Sequence, residues 1–272
     1  MHTEIMSAQN PRVKEWASLL ERRGREKLGQ YLIEGYHLVE EALRAGAPVR
    51  TIAYAVERGR PEGLLAAAAA MDGLAVEWVA VSAAVLAKCS DTQTPQGVFA
   101  IVDKRETSLS ELLALPPSLA IVLDGVQDPG NLGTIIRSAD AVGAGAVILG
   151  RGTVDVLNPK ALRSTMGSVF HLPIVEADLA ALLPQARERG VRVVTTSLAA
   201  QRSCYEADLT AATWLLLGNE AKGVSDAVAA LADERVIIPM QGQAESLNVA
   251  MAATVLLFEA ARQRMVSNNN NS

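Results

Sequence analysis

Leu119-Ala-Ile-Val-Leu123 runs directly into Asp124-Gly-Val-Gln-Asp-Pro-Gly-Asn131-Leu-Gly133-Thr-Ile-Ile-Arg137. The apolar run reads as a strand buried on both faces, and Leu132, Ile135, Ile136 and Ala139 then fall at the spacing of a helix's core stripe. Pro129-Gly130 predicts the turn between them, and Asn131 reads as the N-cap of a helix over residues 132–142. The same rhythm recurs downstream, with strands expected at 146–149, 191–195, 214–217 and 236–240 and a long helix from Leu247 to about Arg264. Apolar strands alternating with helices imply a parallel sheet covered on both faces. In such sheets ligands bind beyond the carboxyl ends of the strands. The loops after Leu123, Leu217 and Met240 are therefore where chemistry is expected.

Ahead of this region, Pro11–Leu20 and Tyr36–Ala45 read as helices and Val49–Ala55 and Gly97–Val102 as strands. Asp103-Lys-Arg-Glu106, a short helix at Leu109–Leu115 and Pro116-Pro117 mark a boundary. The expected organisation is a first domain over 1–103, a linker over 104–118, a second domain over 119–266 and a polar tail over 267–272.

Composition limits what these domains do. Half of the 272 residues are hydrophobic and a fifth are charged, as in a soluble globular protein. Lys and Arg number 25 against 30 Asp and Glu, a net charge of −5, which excludes a strongly basic nucleic-acid coat and leaves room for a local basic patch. Charge-free stretches such as Ser246–Phe258 fall short of the ~18 apolar residues of a spanning helix, so no membrane is expected. The N-terminus lacks a basic-then-apolar export pattern, and a cytoplasmic protein is the expectation. Cys89 and Cys204 with three scattered histidines exclude a disulfide framework and a zinc site of recognisable spacing, so no metal is expected.

The loop after Leu123 has Gly130-x-x-Gly133 rather than Gly-x-Gly-x-x-Gly, and it has no Walker lysine, which disfavours nicotinamide and nucleoside triphosphate sites. Arg137 lies beside the core stripe near the loop end of the helix, where it is either a surface arginine or a functional cation. The second loop, Gly218-Asn-Glu220-Ala-Lys-Gly223-Val-Ser225, brackets a carboxylate with two glycines and reads equally as a plain turn capped by Ser225. In the third, Ile237-Ile-Pro-Met240-Gln-Gly-Gln-Ala-Glu-Ser246-Leu247-Asn248-Val249, Ser246 reads as the N-cap of a helix whose unpaired amides favour negative charge.

In this order the three loops resemble the signatures of the SpoU family of RNA ribose 2′-O-methyltransferases, within the SPOUT superfamily. The first is Asn131-x-Gly133-x-x-x-Arg137, the second Gly218-Asn-Glu220-x-x-Gly223, and the third Ile238-Pro followed by Ser246-Leu247-Asn248-Val249. Together they span residues 119–264. The first half is similar to the small substrate-binding domain often fused ahead of that catalytic domain, through Asn10-Pro11-Arg12-Val13-Lys14, Glu34-Gly35 with Glu41-Ala42-Leu43, and Thr94-Pro95-Gln96-Gly97-Val98. The resemblance implies an α/β SPOUT-type parallel sheet with a C-terminal trefoil knot, plus a small N-terminal α/β RNA-binding domain similar to kink-turn-binding ribosomal proteins. It implies S-adenosyl-L-methionine as cofactor, held by Leu217, Gly218, Ile238, Met240 and Leu247, and a homodimer with catalytic-domain helices packed across the two-fold axis.

The implied chemistry suits these residue types. A ribose 2′-hydroxyl is a poor nucleophile near neutral pH and needs deprotonation and in-line alignment with the methyl donor. No histidine is well placed: His2 is terminal, His37 is in the other domain, and His171 reads as strand packing. The resemblance makes Arg137 the activator; since arginine stays protonated, it would stabilise the emerging alkoxide or orient an RNA phosphate. Asn131, Ser246 and Asn248 would position the hydroxyl and Arg137, and Glu220 would anchor Arg137 or a partner-subunit group. For RNA phosphates the candidates are Arg12, Lys14, Arg22, Arg23, Arg25 and Lys27, with Arg163 in the second domain. The run Arg22–Lys27 reads either as a solvated loop or as a phosphate-contacting edge. The expected substrate is structured RNA, 23S ribosomal RNA first and transfer RNA second. A non-catalytic RNA-binding protein of the same fold is the alternative, which the intact Asn131, Arg137, Ser246 and Asn248 disfavour.

Overall fold

The structure, a computed structural model, describes residues 3–71, 75–105 and 107–270. His2 and the last two residues of the polar tail lie outside the described residues. In chain order the elements begin β1 (Thr3–Ile5), α1 (Pro11–Ser18), α2 (Arg22–Leu28), β2 (Gln30–Glu34), α3 (Tyr36–Arg44), β3 (Val49–Ala55), α4 (Glu62–Ala69), β4 (Glu77–Val81), α5 (Ala83–Lys88) and β5 (Val98–Asp103). They continue with α6 (Leu109–Ala114), β6 (Leu119–Asp124), α7 (Pro129–Ala141), β7 (Ala146–Leu149), α8 (Pro159–Thr165), β8 (Ile174–Glu176) and α9 (Leu179–Glu188). The last are β9 (Arg192–Thr196), β10 (Thr213–Gly218), α10 (Asp226–Ala229), β11 (Glu234–Val236) and α11 (Val249–Asn270). No described helix is long and apolar enough to cross a membrane.

The chain divides into two compact units. The first takes the described residues up to Arg105 together with Asp155–His171. Its mixed sheet has the order β1-β4-β3-β5-β2, with β1, β4 and β3 parallel and β5 antiparallel to both β3 and β2. Side chains alternate across it. Ile33, Ile52 and Tyr54 pack with Leu38, Leu43 and Leu64 on one face, while Leu32, Ala53 and Phe99 pack with Val13, Trp16 and Leu86 on the other.

Two features of this unit depart from the sequence expectation. The segment 155–171 lies in chain order within the span read as the second domain, yet it packs here, with Leu162 of α8 inside the first of those clusters. The basic run at 22–27 is helical rather than a loop: apart from Gly24 its residues are good helix formers. Gly24 itself is required by a close approach, since a Cβ there would stand 2.0 Å from the Ser18 carbonyl oxygen.

The second unit takes the described residues from 107 to Val154 and from Leu172 onward. Its six-stranded sheet has the order β11-β9-β10-β6-β7-β8, with every pairing parallel. Ala120, Val122, Ile148, Trp214 and Leu216 face α9 and α10 through Leu182, Leu183 and Val228. The other face is covered by α7 and α11, whose Leu132, Ile135, Ile136, Leu256 and Leu257 are fully buried. Ser138 and Thr254 join those two helices by a hydroxyl–hydroxyl hydrogen bond of 2.7 Å. After β6 the chain builds outward through β7 and β8, then returns to place β10 on the other side of β6. The adjacent C-terminal ends of β6 and β10 therefore form a topological switch point, the position at which such sheets open a crevice.

Two boundaries differ from the sequence reading for local reasons. Helix α7 starts at Pro129 rather than Leu132, because Asp128 is its N-cap and accepts from the Asn131 N–H at 2.8 Å. Proline suits the first turn, where no N–H is needed. Strand β11 ends at Val236, before the expected run to Met240. Ile237 turns to pair with the 202–204 segment, donating to Arg202 O and accepting from Cys204 N–H, and Pro239 has no N–H for a ladder.

Candidate functional site

Three loops meet at the switch point of the second unit. The first follows β6 and leads into α7. The second follows β10 and folds back tightly: Asn219 and Gly223 exchange two backbone hydrogen bonds of 2.9 Å. A Cβ on Gly218 would stand 2.1 Å from the Gly223 carbonyl carbon, so only glycine admits this return. The third runs over 237–248 into α11. Its helix is capped not by Ser246 but by Asn248, whose Oδ1 accepts from the Ala250 N–H at 2.9 Å. The helix opens at Val249, and Ser246 is left exposed.

Glu220 ties the loops together. Its carboxylate accepts from the backbone N–H groups of Gln127 (3.2 Å) and Asp128 (3.1 Å) and from Asn131 Nδ2 (3.0 Å). Asn131 Oδ1 in turn accepts from Asn248 Nδ2 at 3.0 Å. The orientation of both amides follows from the ends of this chain: a carboxylate only accepts and the amide of Ala250 only donates. Burial raises the Glu220 carboxyl, but hydrogen bonds from Asn131 and the backbone outweigh it and hold the group below its ordinary value. Glu220 thus anchors Asn131 rather than Arg137.

Beside this network lies a cavity of about 640 Å³, within the range of roughly 300–1,000 Å³ for small-molecule sites. Leu217, Gly218, Ile238, Met240 and Leu247 all line it, and so do Glu220 and Ser246. Its walls suit a ligand with apolar and charged parts: leucine, isoleucine and methionine side chains, a glycine admitting close backbone approach, and both Lys222 and Glu220. The sequence reading missed Thr195–Ala199, which form one wall. Their signal is position alone, at the end of a parallel strand and directly after it. It also missed the ties that seat the loops: Asn219 Nδ2 donates to Gly125 O at 2.8 Å, and Thr153 Oγ1 accepts from the Gly125 N–H at 3.2 Å.

Arg137 stands apart. It is exposed on α7, six residues beyond Asn131, and it has no hydrogen-bond or ion-pair partner among the described residues. Helix geometry sets it about 9 Å along the axis from Asn131 and on a different face.

The proposed phosphate contacts divide. Arg25 is 4% exposed, bonded to Asp155 at 2.6 Å and to the carbonyls of Leu19 and Leu20, so it is a structural cation and not an RNA contact. Arg12 forks onto Glu77 (3.0 and 2.5 Å) and lies over the Trp16 ring, Arg22 pairs with Glu26, and Arg163 forks onto Asp91. The Glu77 hydrogen bond raises the Arg12 pKa against the opposing effect of burial. Lys14, Arg23 and Lys27 are exposed and unpaired among the described residues. His171 is not in a strand; it follows a single 3₁₀ turn and meets Glu41 at 3.2 Å. His37 meets the Met166 carbonyl.

Residues 118–258 match the SpoU rRNA Methylase family, and residues 10–100 match the MRM3-like substrate binding domain. The 23S rRNA (guanosine(2553)-2′-O)-methyltransferase RlmP of Bacillus subtilis is 38% identical over 255 residues, covering 94% of this chain and 98% of its own. The 23S rRNA (uridine(2479)-2′-O)-methyltransferase of Streptomyces viridochromogenes is 34% identical over 268 residues, covering 96% of this chain and 92% of its own. Among solved structures, the SpoU methyltransferase AviRb from Streptomyces viridochromogenes, in complex with AdoMet, matches with a TM-score of 0.84 at 33% identity, covering 94% of this chain and 99% of that one.

Proposed function

Since the chain belongs to the SpoU rRNA methylase family, we propose that it transfers a methyl group from S-adenosyl-L-methionine to a ribose 2′-hydroxyl of structured RNA, with 23S ribosomal RNA as substrate. The observation that carries this reading is Glu220, which both lines the cavity and holds Asn131 and, through it, Asn248. A ligand pocket and a fixed pair of amides are thereby linked through one carboxylate.

The cofactor, when bound, supplies an electrophilic methyl. Leu217, Ile238, Met240 and Leu247 exclude water from it, and Gly218 lets the backbone come close. Asn131, Asn248 and Ser246 orient the ribose hydroxyl at the cavity mouth. Arg137, set apart from these amides on α7, supplies the positive charge that grips the adjoining phosphate or stabilises the oxygen as its proton passes to solvent water. The first unit holds the RNA, with Lys14, Arg23 and Lys27 as its free cations.

Finer features belong to the same reading. The C-terminal segment is threaded as a trefoil knot, and the first unit has the fold of kink-turn-binding ribosomal proteins. The enzyme is a cytoplasmic homodimer. Support for the dimer comes from α11, where Met251, Phe258 and Met265 are 52%, 51% and 62% exposed. They stand seven residues apart and form one apolar stripe.

The test is methyl transfer from radiolabelled S-adenosylmethionine to 23S rRNA and to tRNA by the purified protein, with ribose methylation mapped on both RNAs from cells with and without it. A single 2′-O-methyl site in 23S rRNA is expected. A site in tRNA alone would redirect the substrate, and RNA binding without methylation would leave a non-catalytic binding protein.

A further inference from the structure

The structure assigns Asp124 as a positioning residue of the cofactor pocket, acting through Ser225. Ser225 occupies the N-cap position of α10, with extended backbone angles of φ −61° and ψ 147°, yet its side chain makes no bond to that helix. Its Oγ donates instead to Asp124 Oδ2 at 2.7 Å, and its backbone N–H donates to the same oxygen at 2.8 Å. A serine in this position normally caps its own helix. Here that role is forgone and both donors are turned onto a carboxylate 101 residues away.

Asp124 is the last residue of β6 and is paired in register with Gly218, the last residue of β10. It does not line the cavity. Its carboxylate acts on the cavity through the 219–225 loop, whose Asn219, Glu220, Lys222, Gly223 and Val224 form one wall. That loop is closed at its neck by the Asn219–Gly223 exchange, and its entry is tied by Asn219 to Gly125. Its exit at Ser225 is held by Asp124. Without that hold, the loop would keep its ties at Asn219 and Glu220 but lose the one at its exit, and the pocket would have to order the 223–225 end of that wall on binding.

The inference rests on the cavity being the S-adenosylmethionine site, and the experiment separates the two. Cofactor affinity is measured by calorimetry for the wild type, Leu247→Trp, Asp124→Ala, Asp124→Asn, Ser225→Ala and the Asp124→Ala/Ser225→Ala pair, with kcat at saturating cofactor and RNA. Asp124→Ala is expected to raise the cofactor Kd about tenfold, equivalent to about 1.4 kcal/mol, with kcat within about twofold, since only the pocket is loosened. Ser225→Ala, which keeps the backbone donor, is expected to raise Kd about threefold, and the pair to be no worse than Asp124→Ala because both remove one contact. Asp124→Asn retains an acceptor oxygen and is expected to restore affinity.

Unchanged affinity in Asp124→Ala, full multiplication of the two effects in the pair, or loss of kcat in step with affinity would overturn the assignment. Should Asp124→Ala fail to fold, Ser225→Ala carries the same decision. Undiminished binding by Leu247→Trp would instead remove the cavity as the cofactor site.

Discussion

Asn248 Nδ2 donates to Asn131 Oδ1 at 3.0 Å, joining residues 117 positions apart at the starts of α11 and α7. Each is fixed at its far side. Asn248 Oδ1 is held by the backbone of α11, and Asn131 Nδ2 is held by Glu220. The pair joins two helix starts and, through Glu220, the loop that forms one wall of the cavity. Preorganised polar groups of this kind cost no reorganisation when charge develops beside them.

Glu220→Gln tests that rigidity. Glutamine keeps one acceptor but turns an NH₂ toward a backbone N–H, at a cost of about 1 kcal/mol for so exposed a group. The Glu220 carboxyl lies below its ordinary value of 4.5 in the folded protein. Its contribution is therefore full above the unfolded value and disappears as pH falls through the folded one. Urea unfolding of the wild type and Glu220→Gln is expected to differ most near neutral pH, with the gap closing in acid below the carboxylate range. A gap independent of pH would mean that the ionised group is not what holds the loops.

The sheet and its three loops were legible because buried strands are apolar without interruption and because Gly218 and Asn131 have few substitutes where they stand. The capping was not legible, since Asp128 and Asn131, or Ser246 and Asn248, are chemically equivalent candidates a few residues apart. Pro129 in the first turn decides the former. The allegiance of α8 was also hidden, because an amphipathic helix does not name the surface it will cover. The burial of Arg25 is hidden for a similar reason. Its partner Asp155 is 130 residues away, so a basic run gives no sign of which cation is buried.

Arg25 and Lys27 are expected to fail in different ways. Removing Arg25 leaves Asp155, itself 17% exposed, without its counter-charge, and such losses cost about 3–5 kcal/mol. Arg25→Ala is expected to lower Tm sharply. Lys27→Ala and Arg23→Ala are expected to leave Tm unchanged, weaken RNA binding and lower its salt slope by about 1 each. Filter binding across a salt series, beside calorimetric melting, separates the two. An unaltered slope in Lys27→Ala would place the RNA elsewhere on the first unit.

Phe258 is the midpoint of the apolar stripe on α11. Burying a phenylalanine at an interface stabilises it by about 1.5–3 kcal/mol, and a carboxylate there would be desolvated without a partner. Phe258→Asp is expected to give a monomer in analytical ultracentrifugation, with far-ultraviolet circular dichroism unchanged because the side chain is outside the core. A dimer of undiminished affinity would show that the two-fold axis passes through another surface.

Arg137 carries the chemistry's one unpaired positive charge near the loop end of α7 among the described residues. Its isolation fits a group whose partner arrives with the RNA: a guanidinium neutralised internally would have little to offer a phosphate or an alkoxide. A guanidinium offers five N–H donors and no acceptor, so its contribution is that of a charge and not of a proton acceptor. Arg137→Ala is expected to cut kcat by a factor on the order of 10²–10³, as when one stabilising donor is removed from a developing oxyanion. Cofactor affinity should stay within about twofold, since the side chain does not line the cavity. Arg137→Lys keeps the charge and is expected to recover part of the rate, with turnover falling at alkaline pH as the ammonium is lost. A rate that instead rises as that ammonium deprotonates would mark position 137 as the site where the proton is taken. Full turnover in Arg137→Ala would remove it from the reaction altogether.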